Sequence, residues 1–231
     1  GGRHDARGRG LEARPGTRSR RLGVTAATVL APLVALLFLA GGGAAQDSLA
    51  VGDLGILHGD PAAPVQVVEF SDFSCPYCAT FHQEARDSLF ATFVAEGQVR
   101  WVSLPYVSGL YPHSRPAAAA AWCAGVEGRF EALSDLLYRH RDRWVGGGRG
   151  EALEAILALG REAGLDPEAL RRCMDAPDTG DRIRRVERLA RELGVRGTPT
   201  YFIDGFPAMG ALPFAYVRRL VDQRLEGTGG G

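Results

Sequence analysis

Two cysteines separated by two residues, Cys75-Pro76-Tyr77-Cys78, stand where a strand pattern gives way to a helix pattern. Upstream, Val65-Gln66-Val67-Val68-Glu69-Phe70 reads as a mostly buried strand, and downstream Ala79 to Ala95 returns apolar residues at helical spacing. The first cysteine therefore falls at a helix N-terminus. Unpaired backbone N–H groups and the positive end of the helix dipole favour a thiolate there, and the thiolate is the form that attacks disulfides. Pro76 suits the first helical position. A structural disulfide and half of a metal site are the other readings of such a pair.

Metal is the weaker of these. A tetrahedral zinc site takes four ligands, usually two such pairs or one pair with closely spaced histidines. The other cysteines, Cys123 and Cys173, are isolated, and His82 has no second histidine nearby. No metal is expected.

The second landmark is Gly197-Thr198-Pro199-Thr200, running into the strand-like Tyr201-Phe202-Ile203-Asp204-Gly205. An X-Pro bond is cis only about one time in twenty in folded proteins, so this proline is informative only together with the cysteine pair. The chain order is strand, Cys-x-x-Cys helix, strand, long helical stretch, Thr-Pro, strand, hairpin and final helix. That order resembles an α/β thioredoxin-like fold with an inserted helical subdomain, at about residues 114–178, and more narrowly the DsbA-like thiol:disulfide oxidoreductases of bacterial cell envelopes.

The resemblance covers roughly residues 50 to 226. It is carried by Glu69-Phe70-Ser71-Asp72-Phe73-Ser74-Cys75-Pro76-Tyr77-Cys78, by Val195-Arg196-Gly197-Thr198-Pro199-Thr200, and by Tyr111-Pro112-His113 before an alanine-rich stretch. It implies that Cys75 is the nucleophile, that Cys78 resolves the mixed disulfide, and that Pro199 is cis and faces the pair. The buried acid of the family falls on Glu69. Two positions depart from the strongest oxidants. Tyr77 stands where they have a histidine that helps hold the thiolate, and a tyrosine phenol is neutral at ordinary pH. Thr198 before the proline also occurs in disulfide isomerases, so oxidant and isomerase both stay open.

Charge is distributed in two opposite blocks. Residues 1–21 carry seven Arg against one Asp and one Glu, a balance of +5, and residues 22–45 contain no charged side chain. A basic block, an apolar run and small residues at Gly43-Ala44-Ala45 make a secretory leader with cleavage before Gln46. The 24 uncharged residues also suffice for a membrane anchor, which needs about twenty. Ser19-Arg20-Arg21 fits a twin-arginine signal poorly, because Gly23 occupies an expected hydrophobic position. Residues 46–231 form the expected domain, with 20 Arg and 25 acids, a balance of −5. Such a domain gives no reason to expect nucleic acid. Lysine is absent, which excludes a catalytic lysine.

Within this domain, Asp47 to Pro64 reads as an entry segment with turns, and Gln98 to Tyr106 as a second central strand. Amphipathic helices follow at Ala117–Val126, Phe130–Tyr138, Glu151–Ala163, Pro167–Asp175 and Arg182–Leu193. Asp204-Gly205 is a two-residue hairpin signal, and Pro213 to Leu225 closes the chain as a helix.

Other residues carry two readings each. Glu69 is either a strand-end acid in water or a partly buried acid that relays protons. His82 reads as a helix-surface histidine rather than a redox-site residue, and His113 as a cleft residue or a capping and packing one. Phe73, Pro76 and Tyr77 are expected, with Pro199, to form an apolar rim for unfolded substrate chains. In an oxidising compartment Cys123 and Cys173 are natural disulfide partners, as in some DsbA-like proteins, the alternative being two buried free thiols.

The expected function is an extracytoplasmic thiol:disulfide oxidoreductase that introduces disulfides into exported proteins through Cys75 and Cys78. It acts as a monomer without a cofactor. Its expected partners are reduced or unfolded exported proteins and, as the resemblance implies, a quinone-linked membrane oxidase of the DsbB or vitamin K epoxide reductase type. A disulfide isomerase or reductant, and a binding protein or chaperone with a structural disulfide, are the competing readings.

Overall fold

In the computed structural model the described residues are 49 and 51–228. The leader or anchor expected over residues 1–45 lies outside them. Among the described residues five strands form one sheet: β1 (Ile56–His58), β2 (Val65–Ser71), β3 (Val99–Pro105), β4 (Thr200–Ile203) and β5 (Phe206–Met209), in the order β1-β3-β2-β4-β5. Only β2 and β3 run parallel. They are joined through the cysteine-bearing helix, as a parallel pair requires a crossover.

β2 is buried along its whole length because both faces of the sheet are covered. On one face Val65, Val67, Trp101, Tyr201 and Ile203 pack under the first helix and the last, α8 (Phe214–Thr228). On the other, Val68, Phe70, Val102 and Phe202 pack under Val186 and Ala190 of α7 (Pro177–Glu192). Helix α1 (Pro76–Phe81) begins at Pro76 and runs on through a π turn at His82–Arg86, the short α2 (Asp87–Leu89) and a second π turn at Phe90–Val94. The first π turn brings both His82 and Arg86 inward, and both are buried.

The insertion consists of α3 (Ser114–Val126), α4 (Phe130–Arg139), α5 (Arg149–Glu162) and α6 (Pro167–Asp175). Its centre is the alanine-rich α3, whose Ala117, Ala120, Ala121 and Ala124 lie fully buried against Leu133, Leu137, Ile156 and Leu159. Small side chains allow the surrounding helices to approach closely. Phe73, Cys75, Cys78 and Ala79 belong to this same cluster, so the insertion roofs the turn that carries the two cysteines. Cys123 and Cys173 are joined by a disulfide that ties α3 to α6.

Two readings of the elements are corrected. The entry segment contains an edge strand, β1, paired antiparallel to β3. It docks against α3 where Gly125 leaves room, since a Cβ there would meet Ile56 Cδ1 at 2.3 Å. Helix α7 starts at Pro177, five residues before the periodicity suggests. The hairpin turn lies at Asp204-Gly205, both at positive φ (44° and 78°), as the two-residue turn demands. Among the described residues no helix is long and apolar enough to cross a membrane.

Candidate active site

Strand β2 delivers the chain to the turn Asp72-Phe73-Ser74, and that turn is held from several sides. The Asp72 carboxylate is fully buried and accepts hydrogen bonds from Ser74 N, Ser108 N, Ser108 Oγ and Ser114 Oγ at 2.7–3.1 Å. Ser74 Oγ donates to the Pro112 carbonyl at 2.7 Å. Arg141, beyond the end of α4, donates from Nε and from its terminal nitrogen to the Ser74 carbonyl at 2.9 and 2.6 Å. Three separate segments thus fix the residue that precedes Cys75.

Cys75 is the N-cap of α1, and both cysteines are present as thiols. The Cys75 sulfur lies 3.3 Å from the Thr198 carbonyl oxygen and 3.5 Å from Tyr111 Oη. The Thr198–Pro199 bond is cis. Hydrogen bonding from Cys78 outweighs burial, Thr198, Tyr111 and the Cys78 backbone N–H add to it, and the Cys75 thiol is lowered to about 5. Cys78 goes the other way. Burial and the hydrogen bond and charge of Cys75 push it well above the ordinary thiol value. The pair therefore contains one thiol poised as an anion and one that holds its proton.

Glu69 of β2 is buried and accepts a hydrogen bond from Trp101 Nε1 at 3.0 Å. Of the four expected rim residues, Pro76 and Tyr77 are exposed, Tyr77 at 61%, while Pro199 is buried. Phe73 is not on a rim. It is 2% exposed, because the Tyr138 ring of α4 lies over it at 4.8 Å between centroids. His82 is likewise corrected from surface to interior: its Nε2 sits 2.6 Å from Asp135 Oδ1 of α4, and its ring packs on Tyr138. His113 occupies the N-cap position of α3 at a positive φ of 60°, but its side chain makes no capping hydrogen bond; its ring bonds the Gly147 carbonyl at 2.8 Å. Tyr111, Asp72 and Arg141 were not assigned roles from the sequence. Tyr111 and Asp72 each stand in a quoted motif, whereas Arg141 acts across a distance no local pattern encodes.

Among the described residues, no three His, Cys, Asp or Glu side chains gather as a metal site. A family model described as Thioredoxin matches residues 53–223. The chain belongs to the thioredoxin family. A thioredoxin-like oxidoreductase from Silicibacter pomeroyi is 32% identical, with a TM-score of 0.64 over 78% of this chain and 97% of that one. The fold within the thioredoxin family is DsbA-like: Wolbachia pipientis alpha-DsbA1, 19% identical, gives a TM-score of 0.66 over 75% of this chain and 92% of its own. The Na(+)/H(+) antiporter NhaA 3 of Salinispora tropica is 31% identical over 180 residues. Those residues are 75% of this chain, but the match spans only 26% of the antiporter.

Proposed function

We propose that this thioredoxin-family chain is an extracytoplasmic thiol:disulfide oxidoreductase that introduces disulfides into exported proteins through Cys75 and Cys78. The observation that carries the reading is the inequality of two adjacent sulfurs. Cys75 is lowered to about 5 while Cys78 is raised. A pair serving only as a structural brace has no need of this difference.

In the oxidised enzyme Cys75 and Cys78 share a disulfide. A substrate thiolate attacks Cys75; the substrate–Cys75 bond forms, the Cys75–Cys78 bond breaks, and Cys78 leaves and takes up a proton, as its raised pKa favours. A second substrate thiolate then attacks the first substrate sulfur and expels Cys75 as a stabilised thiolate. Two electrons pass from the substrate dithiol to the enzyme pair. Because the reduced form is the stabilised one, the pair is oxidising. Glu69, buried on the strand that leads to the pair, is the acid this reading assigns to exchange the Cys78 proton, while Pro76 and Tyr77 offer apolar contact to the substrate chain. Thr198, next to the sulfur, keeps an isomerase or reductant of the same fold as the second reading.

Reduced exported proteins are the substrates of this reading, and a quinone-linked membrane oxidase is the acceptor that restores the disulfide. The leader-like pattern of residues 1–45 supports a location outside the cytoplasm in this reading. The test is capture: a Cys78→Ser variant incubated with an unfolded protein bearing an activated mixed disulfide should accumulate a covalent adduct through Cys75. A folded variant that forms no adduct sinks the reading.

A further inference from the structure

We propose that Tyr111 is a working part of the redox centre: its side chain covers the Cys75 sulfur, donates a hydrogen bond to it as a thiolate, and rotates aside to admit a substrate sulfur. The inference rests on the redox reading of the pair and assigns a residue that reading does not require.

Three observations lead to it. The first is that Cys75 is 0% exposed, although a nucleophile must be reached. Tyr111 Oη stands 3.5 Å from the sulfur, and Tyr111 itself is partly exposed. Thr198 and Cys78, the sulfur's other neighbours, are buried. Tyr111 is thus the contact of the sulfur that also reaches solvent.

The second is that the backbone on both sides of Tyr111 is pinned. Asp72 holds Ser108 and Ser114, and Ser74 Oγ holds the Pro112 carbonyl. Admission of a substrate then falls to rotation of one side chain, which is fast for a partly exposed residue, and not to opening of the loop.

The third is chemical. Tyr111 is pushed up to about 12, first by its hydrogen bond with Cys75. The phenol keeps its proton across the range in which Cys75 ionises, so it is a donor to the thiolate and not a base. No bond is made or broken at Tyr111. The other titratable or charged groups around the sulfur are Cys78 on its own helix, Asp72 in the preceding turn, and Arg141 from the insertion, acting through the Ser74 carbonyl.

The experiment is the rate of alkylation of Cys75 in the fully reduced protein, followed from pH 3 to pH 10 by rapid mixing with iodoacetamide. Wild type, Tyr111→Phe and Tyr111→Ala are compared, with thermal unfolding as a check that each is folded. Loss of the hydroxyl in Tyr111→Phe should raise the half-point by about one pH unit, a tenfold change in ionisation, and leave the high-pH plateau rate near wild type. Tyr111→Ala should raise the half-point equally and also raise the plateau several-fold, because the cover is gone. An unchanged half-point in Tyr111→Phe, or an unchanged plateau in Tyr111→Ala, overturns the proposal. Alkylation needs no redox activity, so these outcomes stand apart from failure of the wild-type pair to exchange with glutathione, which would strike the functional reading instead.

Discussion

The Cys75 sulfur and the Thr198 carbonyl oxygen lie 3.3 Å apart although 123 residues separate them in sequence. The sheet makes this contact. β2 pairs antiparallel with β4, with Phe70 opposite Thr200, so the turn leaving one strand and the loop entering the other meet at the same end. Under the proposed function, the Thr198 backbone beside the sulfur is the element expected to hold an extended substrate segment by strand-like hydrogen bonding.

The ionisation of Cys75 has a consequence for stability. Its folded-state value of about 5 lies below the ordinary thiol value of 9.0. A lowered value contributes stability that is complete above about pH 9 and is lost as the pH falls through about 5. The oxidised protein has no Cys75 thiolate and no such contribution, and Cys78, shifted upward, stays protonated in this window. The melting temperature of the reduced form, relative to the oxidised form, should therefore rise between pH 5 and pH 9. Calorimetry on both forms checks this; a pH-independent difference contradicts it.

The Cys123–Cys173 disulfide spans 50 residues. Closing a loop of that length stabilises a fold by about 4 kcal/mol in the chain-entropy model. The double variant Cys123→Ala, Cys173→Ala should lose stability on that scale in urea titrations while its Cys75 still alkylates near pH 5. A loss under about 1 kcal/mol would show that the link does little for the fold.

Much of this site is legible in the sequence, because its parts are local. The Cys-x-x-Cys turn after a buried strand, the Thr-Pro step and the Asp204-Gly205 hairpin each carry their own chemistry. The errors arise where the insertion folds back over the sheet. Helical spacing places His82 on a face of the first helix but cannot tell that Asp135 lies across from it. Phe73 looks available beside the cysteines until Tyr138 covers it. The Tyr111 and Asp72 contacts join residues 36 to 42 positions apart, and a three-residue edge strand such as β1 is too short to show alternation.

Glu131 of α4 fastens the insertion to the thioredoxin core. It lies 2.8 Å from His58 Nδ1 and 2.7 Å from the buried Arg86 guanidinium. Burial raises its pKa, but the His58 hydrogen bond and the Arg86 charge prevail and hold it at about 2. The stabilisation is present above the ordinary value of 4.5 and is lost as the pH falls toward 2. Because the side chain is 48% exposed, solvent screens the pair, and Glu131→Gln should cost about 1 to 2 kcal/mol at pH 7. The gap between wild type and variant should begin to narrow below about pH 4.5 and close only as the pH falls to about 2 in urea titrations. A gap that persists unchanged at pH 3 would rule out the ionised carboxylate as its source.

The central claim, that Cys75 and Cys78 form the redox pair, is tested most directly by equilibrating the oxidised protein in glutathione buffers of graded ratio. Each sample is quenched with acid, and the thiols are assigned by mass to individual cysteines. The account predicts one two-electron transition confined to Cys75 and Cys78, at strongly oxidising ratios, with Cys123–Cys173 intact throughout. A Cys75–Cys78 bond that stays closed across the range, or opens no sooner than Cys123–Cys173, contradicts it.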